Sequence, residues 1–197
     1  MKILLFVDTH DKTNVLKGLR EQAKTCDLCV CAGDFTIFGN DQYNILEELN
    51  GFGTSLFLIH GNHEKEDEVR ELATDFENIT FFHNEFTSYE DIGLIGHGGG
   101  GFTPRYDDFE DKKERFGEHM KEYETTLLVT HAPPFNTKLD ERSPGDHVGS
   151  VSYRDFIETY HPTLSVSGHI HQTAGEKDMI GDTTLINPGW DGYMVDL

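Results

Sequence analysis

Ile3-Leu4-Leu5-Phe6-Val7-Asp8-Thr9-His10 is a run of apolar residues that stops abruptly on a carboxylate and an imidazole. Consecutive apolar side chains over so short a stretch read as a strand buried on both faces, as in parallel sheets. The pattern returns at Leu28 to Ala32 before Gly33-Asp34, at Leu56 to Ile59 before Gly61-Asn62-His63-Glu64, and at Leu127 to Val129 before His131. A weaker β-prone run, Thr163 to Ser167, precedes Gly168-His169-Ile170-His171. Side chains just past the ends of parallel strands converge on one crevice. Residues scattered from Asp8 to His171 can therefore meet at one point.

Between the strands lie segments of helical period. Thr13 to Lys24 puts Val15, Leu16, Leu19 and Ala23 on one face; a second segment carries Ile45, Leu46 and Leu49 after Gly39-Asn40-Asp41, which is expected to cap it; a charged third runs from Glu66 to Thr74. This alternation argues for a layered α/β architecture. The middle changes character. Ile79 to Phe82, Phe86 to Tyr89 and Ile92 to Ile95 read as short strands at meander spacing. Gly98 to Gly101 reads as a flexible loop able to approach a ligand closely. Asp107 to Glu124 is so acidic that it reads as a solvated helical face. A long loop spans Ala132 to Ser150, a helix follows near Tyr153 to Thr159, and strands around Thr184 to Ile186 and Tyr193 to Val195 close the chain.

At 197 residues, 36% of them hydrophobic and 11% aromatic, the chain reads as a single domain over residues 1–197. No apolar run is long enough to span a bilayer, and no membrane partner is expected. The apolar N-terminus could be mistaken for a signal peptide. It lacks a small-residue cleavage site and ends on Asp8, so it reads as the first strand. Against 36 acids stand only 16 Lys and Arg, a formal charge of −20. Long nucleic acids are held mainly by basic neutralisation of phosphates, so no long nucleic acid is expected as a partner. Cys26, Cys29 and Cys31 have no second Cys-x-x-Cys pair to build a zinc knuckle. Cys29 and Cys31 share a strand face as small core residues. Nothing calls for an oxidising compartment, and the expected location is the cytoplasm.

Asp, Asn and neutral His are oxygen and nitrogen donors suited to Mn, Fe, Zn, Co or Ni. The candidate ligands are Asp8, His10, Asp34, Asn62, His131, His169 and His171. Two divalent transition metal ions about 3.5–4 Å apart would suit so many donors. One carboxylate must then bridge them, and Asp34 is the natural candidate, since Gly33 lets backbones crowd there. His60, His83, His119 and His161 are expected to do structural or surface duty. His97, beside the glycine run, and His147, in the long loop, are candidate substrate-side groups, as is Arg105. Arg105 has a competing reading as a surface partner of Asp107, Asp108 or Glu110.

Taken in order, Asp-x-His, Gly-Asp, Gly-Asn-His-Glu, His and Gly-His-x-His resemble the calcineurin-like metallophosphoesterase superfamily. The resemblance covers nearly the whole chain. It implies a four-layer α/β/β/α sandwich with a dinuclear centre. One metal would take Asp8, His10, Asp34 and His171; the other would take Asp34, Asn62, His131 and His169. His63 would be the catalytic acid that assists the leaving group. Gly33-Asp34-Phe35-Thr36, Thr130-His131-Ala132-Pro133-Pro134 and His147-Val148-Gly149-Ser150 are similar to the small class III phosphodiesterase branch.

The departures narrow the reading. Protein Ser/Thr phosphatases of this superfamily carry, just after the bridging Asp, an Asp that partners the catalytic His, then an Arg; Ile37 and Gly39 occupy that stretch here. Purple acid phosphatases have Tyr where Ile37 stands. The longer nucleases carry a capping domain for which there is no room. The resemblance thus implies a phosphodiesterase on small substrates such as cyclic nucleotides, using a metal-bridging hydroxide. The alternative is a phosphomonoesterase or nucleotide pyrophosphatase on the same site. A non-catalytic scaffold is disfavoured, because no family ligand is missing. Sequence leaves the oligomeric state open.

Overall fold

The computed structural model describes residues 1–197. In chain order the strands are β1 (Lys2–Phe6), β2 (Leu28–Cys31), β3 (Leu56–Leu58), β4 (Ile79–Phe81), β5 (Glu85–Tyr89), β6 (Ile92–His97), β7 (Thr125–Thr130), β8 (Glu141–Ser143), β9 (Asp146–His147), β10 (Leu164–Val166), β11 (Lys177–Ile180), β12 (Thr183–Ile186) and β13 (Tyr193–Asp196). The α-helices are α1 (Thr13–Ala23), α2 (Gln42–Asn50), α3 (Glu66–Ala73), α4 (Asp107–Glu110), α5 (Lys113–Met120) and α6 (Val151–Tyr160).

Two sheets form, ordered β13-β1-β2-β3-β4 and β11-β12-β10-β7-β6-β5. In the first, β1 to β4 are parallel and β13 runs antiparallel along β1. In the second, β6, β7, β10 and β12 are parallel, with antiparallel edges β5 and β11. The period of two along each strand builds three cores. Leu4, Phe6, Cys29 and Cys31 point to α1, α2 and α3, against Leu16, Leu19, Leu46 and Val69. Ile3, Leu5, Val7, Leu28 and Val30 point the other way and meet Leu94, Leu127, Val129 and Val166 of the second sheet. Ile95, Leu128 and Leu185 face Phe109, Phe116, Tyr153 and Phe156 of α4 to α6. The layers are thus α/β/β/α. Cys29 and Cys31 are core residues, with Val30 buried on the opposite face between them, and Cys26 is half-buried against the same core.

Three local readings need correction. Asp107 to Glu124 contains two helices, α4 and α5, whose acids are solvated but whose other face is core: Phe109, Phe116 and Met120 are buried. Their spacing is helical, but the acids between them dominate the composition. Asp41 is the N-cap residue of α2, yet its side chain makes no cap bond and accepts from the Asn44 amide instead. The long loop contains the β8–β9 ribbon, and β11 precedes β12; neither has the apolar run that announces a buried strand. No helix is long and apolar enough to cross a membrane.

Candidate metal centre

Asp8, Asp34 and Asn62 follow β1, β2 and β3, adjacent parallel strands of the first sheet; His131 and His169 follow β7 and β10, neighbours in the second. Both sheets deliver these ends to one place. The His169 N–H donates to Asp8 Oδ2 at 3.0 Å, and His131 Nδ1–H donates to the Ala32 carbonyl at 2.9 Å. Asp8, Asp34 and His131 form a buried floor, while Asn62 and His171 are exposed at the rim. Asp8, His10, Asp34 and His169 all have positive φ, from 45° to 66°. Such backbone costs free energy and concentrates where side chains must be aimed.

Glycines let the loops close. A Cβ on Gly61 would lie 2.0 Å from Asp34 Oδ1, and one on Gly33 would lie 2.6 Å from the Gly61 nitrogen. Glu64 then ties the two loops together. It is buried and accepts from the N–H groups of Asp34 (3.1 Å), Thr36 (2.9 Å) and Gly61 (2.8 Å), and from the Thr36 hydroxyl (2.7 Å).

Asp34 Oδ2 lies 3.3 Å from His131 Nε2, 3.9 Å from His63 Nε2 and 4.0 Å from His10 Nε2. His10 Nε2 and His171 Nε2 are 3.1 Å apart, and His131 Nε2 is 3.0 Å from Asn62 Oδ1. Donor atoms of Asp8, His10 and His171, and those of Asp34, His131 and His169, lie within 4.8 Å of one another in two groups.

Hydrogen bonds at the far ring nitrogens sort these imidazoles. His10 Nδ1–H donates to the Thr36 carbonyl at 3.1 Å, as His131 Nδ1–H does to Ala32. A carbonyl only accepts, so each ring, when neutral, presents its Nε2 lone pair to the centre, the arrangement usual for metal ligands. His63 is the reverse. Its Nδ1 accepts the Phe38 N–H at 3.1 Å, so the neutral ring carries its proton on Nε2, and that N–H faces the centre. His63 is a donor there rather than a ligand.

The donor set fits divalent cations. His169 Nε2 and Asp8 Oδ1 are buried without a hydrogen-bond partner, and buried polar atoms are normally paired. Around Asp34, lone-pair atoms crowd together and call for positive charge. A proton answers that call at His131. Burial pushes its pKa down, but the Asp34 carboxylate outweighs this and lifts it to about 9. Burial raises Asp34, yet His131 and the His63 N–H hold it well below the usual carboxylate range. His169 is pushed down to about 4 by burial and by the nearby His131.

His83, His97 and Asp108 form another cluster of potential ligand atoms, but the same test excludes a metal there. His83 Nδ1 accepts the Gly98 N–H at 2.8 Å, so its Nε2 bears hydrogen. His97 was expected on the substrate side. It is instead 1% exposed, bonded to the Tyr153 hydroxyl (2.6 Å) and Asp108 (3.0 Å), and its role is structural. Arg105 is paired with Glu110 at 3.2 Å and Asp155 at 3.0 Å, the surface reading weighed for it. His147 is half-buried and donates through Nδ1 to the buried Asp140 at 2.7 Å. The glycine run approaches the protein's own side chains: Cβ atoms would lie 2.4 Å from the His60 carbonyl at Gly98 and 2.0 Å from the Tyr106 hydroxyl at Gly100.

Sequence reasoning missed the side chains that rim the centre. The Phe38 ring stacks on His63 with centroids 4.4 Å apart and 15° between planes. Phe102 meets His169 at 4.7 Å, and the Arg142 guanidinium carbon lies 5.8 Å from the Phe102 ring centre. Trp190 approaches His171 edge-on at 6.4 Å. Nothing in their local patterns separates them from ordinary surface aromatics.

The sequence pattern of the calcineurin-like phosphoesterases matches residues 1–173. An uncharacterized protein of Methanocaldococcus jannaschii is 31% identical over 205 residues, spanning 99% of this chain and 91% of that one. Among solved structures, a Thermus thermophilus protein superposes with a TM-score of 0.76 at 15% identity, over 96% of this chain and 90% of that one. A dimetal phosphatase from Danio rerio superposes with a TM-score of 0.64 at 10% identity, over 94% and 86%. At such identities the superpositions speak for the fold. The family match runs through every strand-exit cluster as far as His171, and the chain belongs to the calcineurin-like phosphoesterase family.

Proposed function

We propose that this protein hydrolyses small phosphodiesters, cyclic nucleotides among them, at a centre of two divalent transition metals. Metal-dependent phosphoester hydrolysis is the chemistry of its family. In this reading Asp8, His10, Asp34 and His171 would hold one ion and Asp34, Asn62, His131 and His169 the other, with Asp34 common to both sets. Such ions lower the pKa of water toward about 7 and draw negative charge from phosphoryl oxygens.

The chain's own groups supply the rest. Glu64 fixes the Asp34 and Gly61 loops against each other, so the carboxylate and Asn62 keep their relation. His10 and His131 are held as lone-pair donors by the Thr36 and Ala32 carbonyls. His63 turns Nε2–H toward the centre, where it can donate to the oxygen that leaves phosphorus. The observation that carries the reading is this opposite presentation of imidazoles around one buried carboxylate. A singly charged diester also suits a chain of formal charge −20 better than a multiply charged monoester, although salt screens that repulsion beyond about 10 Å.

The test is a hydrolysis screen with manganese-loaded protein on 2′,3′- and 3′,5′-cyclic nucleotides, dinucleotides, and aryl mono- and diesters. Turnover that favours diesters supports the proposal. Turnover confined to monoesters would replace the diester assignment, and no turnover on any ester would remove the reading.

A further inference from the structure

Phe38 stands out among the exposed apolar residues. It is 77% exposed, the most of any large hydrophobic side chain here, and Ile37 beside it is 40% exposed. Its φ is +53°, a conformation that bulky side chains avoid. A phenyl ring held in strained backbone and left in water gains nothing from folding alone. What it does gain is position. Its N–H donates to His63 Nδ1, and its ring lies parallel to the imidazole at 4.4 Å. One face is on His63; with so little of the side chain covered, the other face is open.

The neighbouring aromatic is built differently. Phe102 is 57% exposed, but it meets His169 at 61° and has Arg142 over its ring. Phe38 alone combines parallel stacking on the proposed leaving-group donor with an uncovered face. The two ring centres are only 4.4 Å apart, so a group attached to the oxygen that accepts from His63 Nε2–H is within reach of the Phe38 ring.

We propose that Phe38 is a substrate platform, taking on its open face a flat aromatic ring carried by the leaving group, as in a nucleoside or aryl ester. This rests on the phosphoesterase reading above. Stacking of a base on an aromatic side chain is worth about 5- to 150-fold in an equilibrium or rate ratio. The chemistry suits this acidic protein, because an uncharged ring is held without a cationic pocket.

The experiment compares adenosine 2′,3′-cyclic phosphate with methyl riboside 2′,3′-cyclic phosphate on manganese-loaded protein. The leaving hydroxyls are alike, and only the first substrate carries a base. The wild type should favour the nucleoside by about 5- to 150-fold in kcat/KM. Phe38→Ala should bring that ratio close to one, and Phe38→Trp should keep it. A wild-type ratio near one would overturn the platform, as would a Phe38→Ala loss equal for both substrates, which would mean that Phe38 only positions His63. A second readout is independent of turnover: in zinc-loaded protein, adenosine 3′-phosphate should shift the Phe38 ring proton resonances and ribose phosphate should not. Base-dependent shifts without hydrolysis would keep the platform and remove the esterase reading. Hydrolysis without base dependence in either readout would do the reverse.

Discussion

The Phe38 N–H donates to Nδ1 of His63 at 3.1 Å, and that single bond fixes which nitrogen of His63 presents its N–H to the centre as a hydrogen-bond donor. The protein phosphatases that the sequence resembles would place an Asp, an acceptor, beside this His; here Ile37 and Gly39 occupy that stretch, and His63 Nδ1 meets a donor instead, the Phe38 amide. A backbone N–H cannot accept, so the neutral His63 ring must keep its hydrogen on Nε2, facing Asp34.

From this follows the expectation for His63→Ala. It should retain its metals and lose about 10²–10⁴ in kcat. The loss should be larger for alkoxide leaving groups than for nitrophenolate, which departs without a proton. Steady-state kinetics across a leaving-group series checks this. An equal loss at every leaving group would make His63 a positioning residue.

Arg105→Ala should change little. Its guanidinium is half-exposed and already paired with Glu110 and Asp155, and exposed pairs contribute about 0–1 kcal/mol. KM for the best substrate should move by less than about threefold, and Tm only slightly. A tenfold rise in KM would return Arg105 to the substrate side.

Acid should weaken the fold through His83. Burial first, and then the neighbouring His97, lower its pKa from 6.5 to about 4. Below its unfolded pKa, the unfolded chain binds a proton that the folded protein refuses. Stability therefore falls as pH drops from about 6.5 toward 4, with a slope from this group of at most about 1.4 kcal/mol per pH unit. His83→Gln removes the titrating group and can still accept the Gly98 N–H, so denaturant melts should show a shallower acid limb over that window. An unchanged limb would mean that other groups dominate it.

How much of this could be seen in the chain depends on what kind of signal each residue leaves. The meeting of the candidate ligands at one place was legible because their clusters follow β-prone runs, and strand ends in parallel sheets converge. A layered α/β architecture was legible because strand runs alternate with helical periods; that Leu4 and Phe6 face one core and Ile3 and Leu5 another was not, since all four are apolar. His97 was misleading. It stands beside the glycine run, but it ends β6 pointing into the aromatic core around Tyr153 and Phe109. Phe38 was invisible because its importance lies in a φ angle and a backbone amide, neither of which is written in residue type. The α5 stripe was masked by its acids, which occupy the face that the apolar residues leave free.

The central claim is that Asp34 is shared by two metal ions, and metal content of purified protein tests it most directly. After reconstitution with manganese and desalting, elemental analysis should find two ions per wild-type chain. Asp34→Ala should hold fewer than any variant altered singly at Asp8, His10, Asn62, His131, His169 or His171, and should have no measurable turnover. Two ions retained by Asp34→Ala, with turnover close to wild type, would contradict the account.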